Sequence, residues 1–339
     1  MQRNKHEKND MTIHDIARLA GVSSAAVSRY LNGGSLSAEK RAIIHAVVES
    51  TGYRPDTTAQ TMRTGRVNQI GLVAPRFDSS EVVQIMTGAA NVLMQQGYFA
   101  LMAGSAHEKD GEQGCVERMQ RNHVAGILLI SPYASPEHES VYRSCRLPLV
   151  VVGQSLTDIA TVRSDERAAA RELAERMLAA GRRSIAYIGV SERGNVSNEN
   201  RRLGVQDALT AAGLDGAHMP RISCGYPSYE EGVRCMELLL ARCPELDGVI
   251  CSADPVALGA MRVLKAAGHA IGETVGLAGM GDSWANQAAE PPLASVKFYH
   301  DQLGAEAANM LIGQIESTDE EVPARQVTLG YTIVERGSL

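Results

Sequence analysis

Between Met11 and Asn32 apolar residues recur at helical spacing in two short bursts. Ile13, Ile16, Ala17 and Ala20 fall on one face of a first helix, and Val27 and Leu31 on the inward face of a second. Thr12 stands at the N-cap of the first, with Asp15 three residues later as a short form of the capping box. Ser23 caps the second helix, and Gly21 falls where the turn between them needs a positive φ. Ser37 caps a third helix reaching about Ser50, with Ala42, Ile43, Ala46 and Val47 as its expected apolar face. Three helices this short form a small bundle with a marginal core.

From Val67 onward the pattern changes. Short apolar runs at 69–74, 99–103, 126–130, 149–152, 185–189, 248–251, 275–278, 295–298 and 325–334 read as strands. They alternate with amphipathic helical segments at 81–96, 111–122, 165–180, 200–212, 230–242, 255–267 and 301–315. Continuous apolar strands separated by helices predict parallel sheets covered on both faces. This stretch is longer than one doubly wound domain usually is, so two lobes are expected, with a ligand cleft outside the carboxyl ends of the strands. The expected architecture is an N-terminal all-α helix-turn-helix head (11–55) followed by an α/β, two-lobed, doubly wound body (67–339). Within the body, the first lobe takes 67–162 and 292–323, and the second 163–291 and 324–339.

Residues 1–10 are polar throughout and read as a disordered tail. Residues 56–66, DTTAQTMRTGR, join head to body. Asp56 can cap, and Ala59, Gln60 and Met62 favour helix, but a segment this short does not hold a helix alone. It is either a solvated tether or a helix that forms on docking.

Charge sharpens the division. The 339 residues carry a net charge of −6, yet residues 1–66 hold a net +4 and the remainder a net −10. A basic head on an acidic body suits a polyanion-binding head. The outer face of the second helix carries Ser24, Ala25, Ser28 and Arg29: short contacts plus one guanidinium able to read guanine bidentately. That is a helix-turn-helix with its second helix placed to enter a major groove, as opposed to an ordinary αα-hairpin. The six cysteines form no C-x-x-C pair, no signal peptide is visible, and no apolar run is long enough to span a membrane. A soluble cytoplasmic protein without a membrane partner is expected.

Catalytic patterns are missing. No G-x-S-x-G elbow and no paired acid and base with motif support occur. The polar run His107–Glu112 has no metal-ligand spacing, and Gly279-Met-Gly281 lacks the third glycine of a dinucleotide fingerprint. The expectation is a non-enzyme without cofactor or metal.

With these pieces in place the chain resembles the LacI/GalR family of bacterial transcription regulators. The resemblance is carried by T-I-H-D-I-A-R-L-A-G-V-S-x-x-x-V-S-R-Y-L-N at 12–32 and Y-R-P at 53–55. In the body it is carried by Asn200-Arg201-Arg202-Leu203-Gly204, C-S-A-D-P-V-A-L-G-A-M-R at 251–262, G-x-G-D at 279–282 and P-P-L-A-S-V at 291–296. It implies a homodimer on a pseudo-palindromic double-stranded DNA operator, and a body built like periplasmic sugar-binding proteins. With no heptad repeat at the C-terminal end, tetramerisation through such a tail is not expected. Implied DNA contacts are Thr12, Ser23, Ser24, Ala25, Ser28, Arg29, Asn32, Tyr53 and Arg54. Residues 56–66 become the hinge helix, with Ala59 and Met62 at the minor groove and Met62 as an apolar wedge. Glu81, Val82, Ile85 and Ala89 read as a dimer face by the family pattern, or as core for the apolar members.

Arg201 and Asp254 match the family's cleft residues. Ala253 and Gly281 depart from it, standing where many relatives place asparagine and where lactose-type proteins place an aspartate; Asp282 is adjacent. The loop Ala74–Ser80 is similar to that of the trehalose and sucrose operon repressors, the subtype the chain resembles most. This puts Arg76, Phe77 and Ser79 at the effector, with Arg76 either a phosphate contact or an ion-pair partner of Asp78 or Glu81. Trp284, the one tryptophan, serves either as a stacking platform or as lobe packing. The implied function is repression of a carbohydrate-utilisation operon under control of a sugar or sugar phosphate. The alternative is a cytoplasmic sugar-binding protein without a regulatory role.

Overall fold

The computed structural model describes residues 11–31, 34–53, 67–105, 109–131, 135–190, 195–318 and 323–339. The chain divides into two compact units, Met1–Val67 and Asn68–Leu339. The hinge segment 56–66 and the expected DNA contacts Asn32, Arg54, Ala59 and Met62 lie outside the described residues.

The head holds α1 (Ile13–Leu19), α2 (Ser24–Leu31) and α3 (Ala38–Thr51). Thr12 Oγ1 accepts from the Asp15 amide at 3.3 Å and the Thr12 amide donates to the Asp15 carboxylate at 3.0 Å, which closes the capping box. Thr12→Ala removes one arm and is expected to cost the head about 1 kcal/mol. Amide exchange in the full chain reads this as faster exchange across α1 with the body unchanged. Gly21 turns the chain at φ 62°, and Ser23 Oγ accepts from the Ala26 amide at 3.3 Å. Ile16, Ala17, Ala20, Ala26, Val27 and Ile44 form the core. The inward face of α3 differs from the expected one. Ile44 is buried with Val47 and Val48 packed beside it, while Ala42, Ile43 and Ala46 are exposed. Both sets satisfy helical spacing; only packing with Ile16 and Val27 selects between them.

The body begins with β1 (Gln69–Ala74), α4 (Ser80–Gln95), β2 (Phe99–Gly104), α5 (Lys109–Arg121), β3 (Gly126–Ile130), α6 (Pro136–Ser144), β4 (Leu149–Val152) and β5 (Ala160–Ser164). The chain then enters the second lobe through α7 (Glu166–Ala179), β6 (Ile185–Val190), α8 (Val196–Ala211), β7 (Arg221–Cys224), α9 (Tyr229–Arg242), β8 (Gly248–Cys251), α10 (Asp254–Ala266), β9 (Gly276–Met280), α11 (Ala285–Ala288) and β10 (Ala294–Phe298). It returns to the first lobe with α12 (His300–Glu316) and β11 (Gln326–Leu329), and finishes in the second with β12 (Tyr331–Val334). The first sheet runs β11-β5-β4-β3-β1-β2, wholly parallel. The second runs β12-β10-β9-β8-β6-β7, with only β12 antiparallel.

This corrects the sequence-based lobe boundaries. Residues 294–298, assigned by pattern to the first lobe, pair with β9 and β12 in the second. Residues 326–329, assigned to the second, pair with β5 in the first. The run 325–334, read as one strand, is two strands separated at Gly330, one for each sheet. Alternation within a four-residue strand identifies a buried face but names no partner strand. The chain therefore crosses between lobes three times, after Ser164, after Phe298 and at Gly330, as a hinge requires.

Val82, Ile85 and Ala89 are buried in the first lobe's core, against Leu303, Ala307 and Ala308 of α12. They are thus not a dimer face, because the other side of α4 turns outward. Val83 and Met94 of α4 are exposed, as are Phe99, Leu101 and Met102 of the edge strand β2. The helices α4 and α12 touch backbone to backbone: a Cβ on Gly88 would lie 1.9 Å from the Asp301 carbonyl oxygen, and one on Gly304 1.8 Å from that of Ile85. Among the described residues no helix is long and apolar enough to cross a membrane.

Candidate functional site

On the head, Thr12, Ser23, Ala25 and Arg29 are exposed, and Ser24, Ser28 and Tyr53 are half-buried. Ser24 Oγ lies 3.0 Å from His14 Nδ1, and the Tyr30 hydroxyl 2.7 Å from His45 Nδ1. These bonds tie α2 to both of its neighbours, so its outer face is presented on a rigid support. Arg29 Nε reaches back only weakly, 3.4 Å from the Ala25 carbonyl.

In the body a cleft of about 510 Å³ opens between the two sheets, lined from the carboxyl ends of β1, β3, β4, β5, β6 and β8. Its floor is organised by Arg201 of α8. Arg201 Nε donates to Glu166 Oε2 at 2.7 Å and Nη2 to Glu166 Oε1 at 3.1 Å. Nη1 donates to the Ser252 carbonyl. From the opposite lobe Glu81 Oε1 stands 3.9 Å from Nη2, and the guanidinium lies 5.1 Å from the Phe298 ring centre. Burial works against the charge on Arg201, but Glu166 and Glu81 outweigh it and hold the group above its ordinary pKa. A desolvated guanidinium shared between two carboxylates is a rigid donor platform for hydroxyl groups.

The structure separates the remaining expected effector residues. Arg76 and Ser79 line the cleft, but Arg76 gives Nε and Nη2 to the Asp78 carboxylate and stacks 4.0 Å from the Tyr226 ring centre. Of the two alternatives for Arg76 the ion pair with Asp78 is the one present. Phe77 is outside the lining and packs its ring over Gly104. Asp254 is 1% exposed and sits behind the wall. Its Oδ1 accepts from Ser295 Oγ at 2.6 Å and its Oδ2 from the Ser283 amide at 2.7 Å, while burial raises its pKa. Asp254 therefore positions the loop that carries Ser283 and Trp284 and does not itself face the cleft. Asp282 follows Gly281 (φ 127°) at φ 50° and pairs with Arg336 Nη2 at 2.6 Å, outside the lining. The pair with Arg336 commits its carboxylate outside the cleft. Trp284 lines the mouth and is 83% exposed, so it is not packed between the lobes.

Sequence reasoning missed Glu166 and Tyr226 as cleft residues and placed Glu81 elsewhere. Their signal is position: Glu166 opens α7 at a lobe crossing, Tyr226 follows closely on the end of β7, and Glu81 lies in the first turn of the helix after β1. In the polar run 107–112, Glu112 is buried and accepts from Ser131 Oγ and the Tyr142 hydroxyl, both at 2.9 Å, which braces the cleft wall at Ser131. Among the described residues no three His, Cys, Asp or Glu side chains are grouped to hold a metal.

A family model described as bacterial regulatory proteins, lacI family, matches residues 12–56, and one described as periplasmic binding protein-like domain matches residues 174–339. The chain is 30% identical over 337 residues to the HTH-type transcriptional regulator CelR of Thermobifida fusca, covering 95% of this chain and 97% of that protein. A solved transcriptional regulator CelR–cellobiose complex is similar with a TM-score of 0.72 at 27% identity, over 97% of this chain and 99% of that one. The lac repressor dimer bound to operator and the anti-inducer ONPF shares the fold, with a TM-score of 0.89 at 22% identity over 97% of this chain and 98% of that one. A helix-turn-helix head, two hinged lobes around a cleft and this full-length similarity lead to one conclusion: the chain belongs to the lacI family of bacterial regulatory proteins.

Proposed function

We propose that this protein represses a carbohydrate-utilisation operon, binding its operator as a homodimer and responding to a sugar in the cleft between its lobes. The observation that carries this is the Arg201–Glu166–Glu81 cluster. It joins residues of both lobes on the floor of a cleft between lobes linked by three chain crossings, in the same chain as a helix-turn-helix head. A polyhydroxylated ligand gains bonds from both lobes only when they close, so it selects the closed arrangement. The similarity to a regulator solved with cellobiose supports a saccharide of that size. The edge strand β2, with Phe99, Leu101 and Met102 exposed, is the surface we assign to the second copy. A cytoplasmic location follows from the work of an operator-binding protein. The alternative, a sugar binder without regulatory role, leaves the capped and packed helix-turn-helix head without a use.

The test starts from selection of DNA fragments by the purified full-length protein at physiological salt. The expected product is a pseudo-palindrome whose affinity changes at least about tenfold, or 1.4 kcal/mol, on adding the correct sugar. Removing residues 1–66 abolishes DNA binding and leaves sugar binding in place. Failure to enrich any palindrome overturns the reading.

A further inference from the structure

We propose that the effector carries an anionic group, phosphate ester or carboxylate, and that this group sits on Arg163 at the crossing between β5 and α7. The proposal rests on the cleft being a sugar site, as argued above, and specifies the chemistry of its ligand. Three arginines line the cleft: Arg76, Arg163 and Arg201. Arg76 is neutralised by Asp78 and stacked on Tyr226. Arg201 is held bidentately by Glu166 and approached by Glu81. These pairs use all three acidic residues of the lining, Asp78, Glu81 and Glu166. Arg163, half-buried, has no ion pair or hydrogen bond from its side chain among the described residues.

A second observation points to the same class of ligand. His300 lines the cleft, is 4% exposed, and its Nδ1 meets no hydrogen-bond partner among the described residues. His300 opens α12, whose N-cap Tyr299 supplies no side-chain cap bond, and Leu303 of the same turn also lines the cleft. Asp301, the acidic residue of that turn, lies outside the lining. An unpaired guanidinium, a buried ring nitrogen free to take the tautomer that donates, and an uncapped helix start are complementary to an oxyanion. A neutral sugar, by contrast, leaves Arg163 desolvated and without a counter-charge when the lobes close. Glu81 and Arg201 then hold hydroxyl groups, and Arg163 holds the anion.

The experiment is calorimetric titration of the full-length protein with matched sets: glucose, glucose 6-phosphate and gluconate; cellobiose, cellobiose 6′-phosphate and cellobionate; trehalose and trehalose 6-phosphate. The expected result is that an anionic member binds at least tenfold more tightly than its neutral parent. The phosphate and carboxylate arms identify which anion is used. Arg163→Met lowers that ratio below two, and Arg163→Lys keeps part of it. Melting temperatures of the variants check that each is folded. If neutral sugars bind as tightly as their anionic partners, or Arg163→Met keeps the preference, the anion seat is wrong while the sugar site stands. If no member of any set binds and none alters operator affinity, the sugar site and the anion seat both fall.

Discussion

Gly304→Ala is expected to destabilise the body by about 3 kcal/mol or more, the upper end of overpacking costs. The added methyl would begin 1.8 Å from the Ile85 carbonyl oxygen, which belongs to backbone and cannot swing aside. The helices α4 and α12 must separate, and Val82, Ile85 and Ala89 lose their packing on Leu303, Ala307 and Ala308. The same helix carries its own control. Gly313 is exposed and a Cβ there meets nothing within 4 Å, so Gly313→Ala gains helix propensity and raises stability by up to about 1 kcal/mol. Opposite signs from one substitution type on one helix, measured by denaturant unfolding, separate close packing from propensity. A Gly304→Ala protein as stable as the parent would show that the two backbones are not in contact in solution.

Arg201→Met is expected to have the second large effect, and on two readouts. Removing the guanidinium leaves Glu166, a carboxylate with an 11% exposed side chain, without either of its bonds. Breaking a buried pair from one side typically costs about 3–5 kcal/mol. The charge left behind is the cause, so Glu166→Gln combined with Arg201→Met recovers at least about 1 kcal/mol relative to Arg201→Met alone. On the proposed function the second readout is release of operator by sugar, followed by fluorescence anisotropy. Both variants bind operator and neither is released. If the double variant is stable and still responds to sugar, Arg201 is a strut between α7 and α8 and not a ligand contact.

The head was legible because its constraints are local. Thr12, Asp15, Gly21 and Ser23 act within a few residues of their own positions, and their roles follow from spacing. The alternation of strands and helices in the body was legible for the same reason. The inward face of α3 was not, because a 14-residue helix with Ala42, Ile43, Ile44, Ala46, Val47 and Val48 offers two overlapping apolar stripes. The cleft divided along a similar line. Arg201 could be found from its motif, yet its carboxylate partners lie 35 positions before it in Glu166 and across the lobes in Glu81. Asp254 and Asp282 have the right chemistry in the right motif. Each is nevertheless committed to a partner distant in sequence, Ser295 for one and Arg336 for the other.

The order of elements, the two-unit division, the basic head and the helix-turn-helix could all be read from the chain, since each depends on near neighbours or on summed charge. Tertiary structure alone decided which strand joins which sheet, where the chain crosses between lobes, and which charged side chains in the cleft are already paired. Those outcomes depend on contacts between residues tens to hundreds of positions apart. Neither a strand's alternation nor a carboxylate's identity says which distant group it will meet.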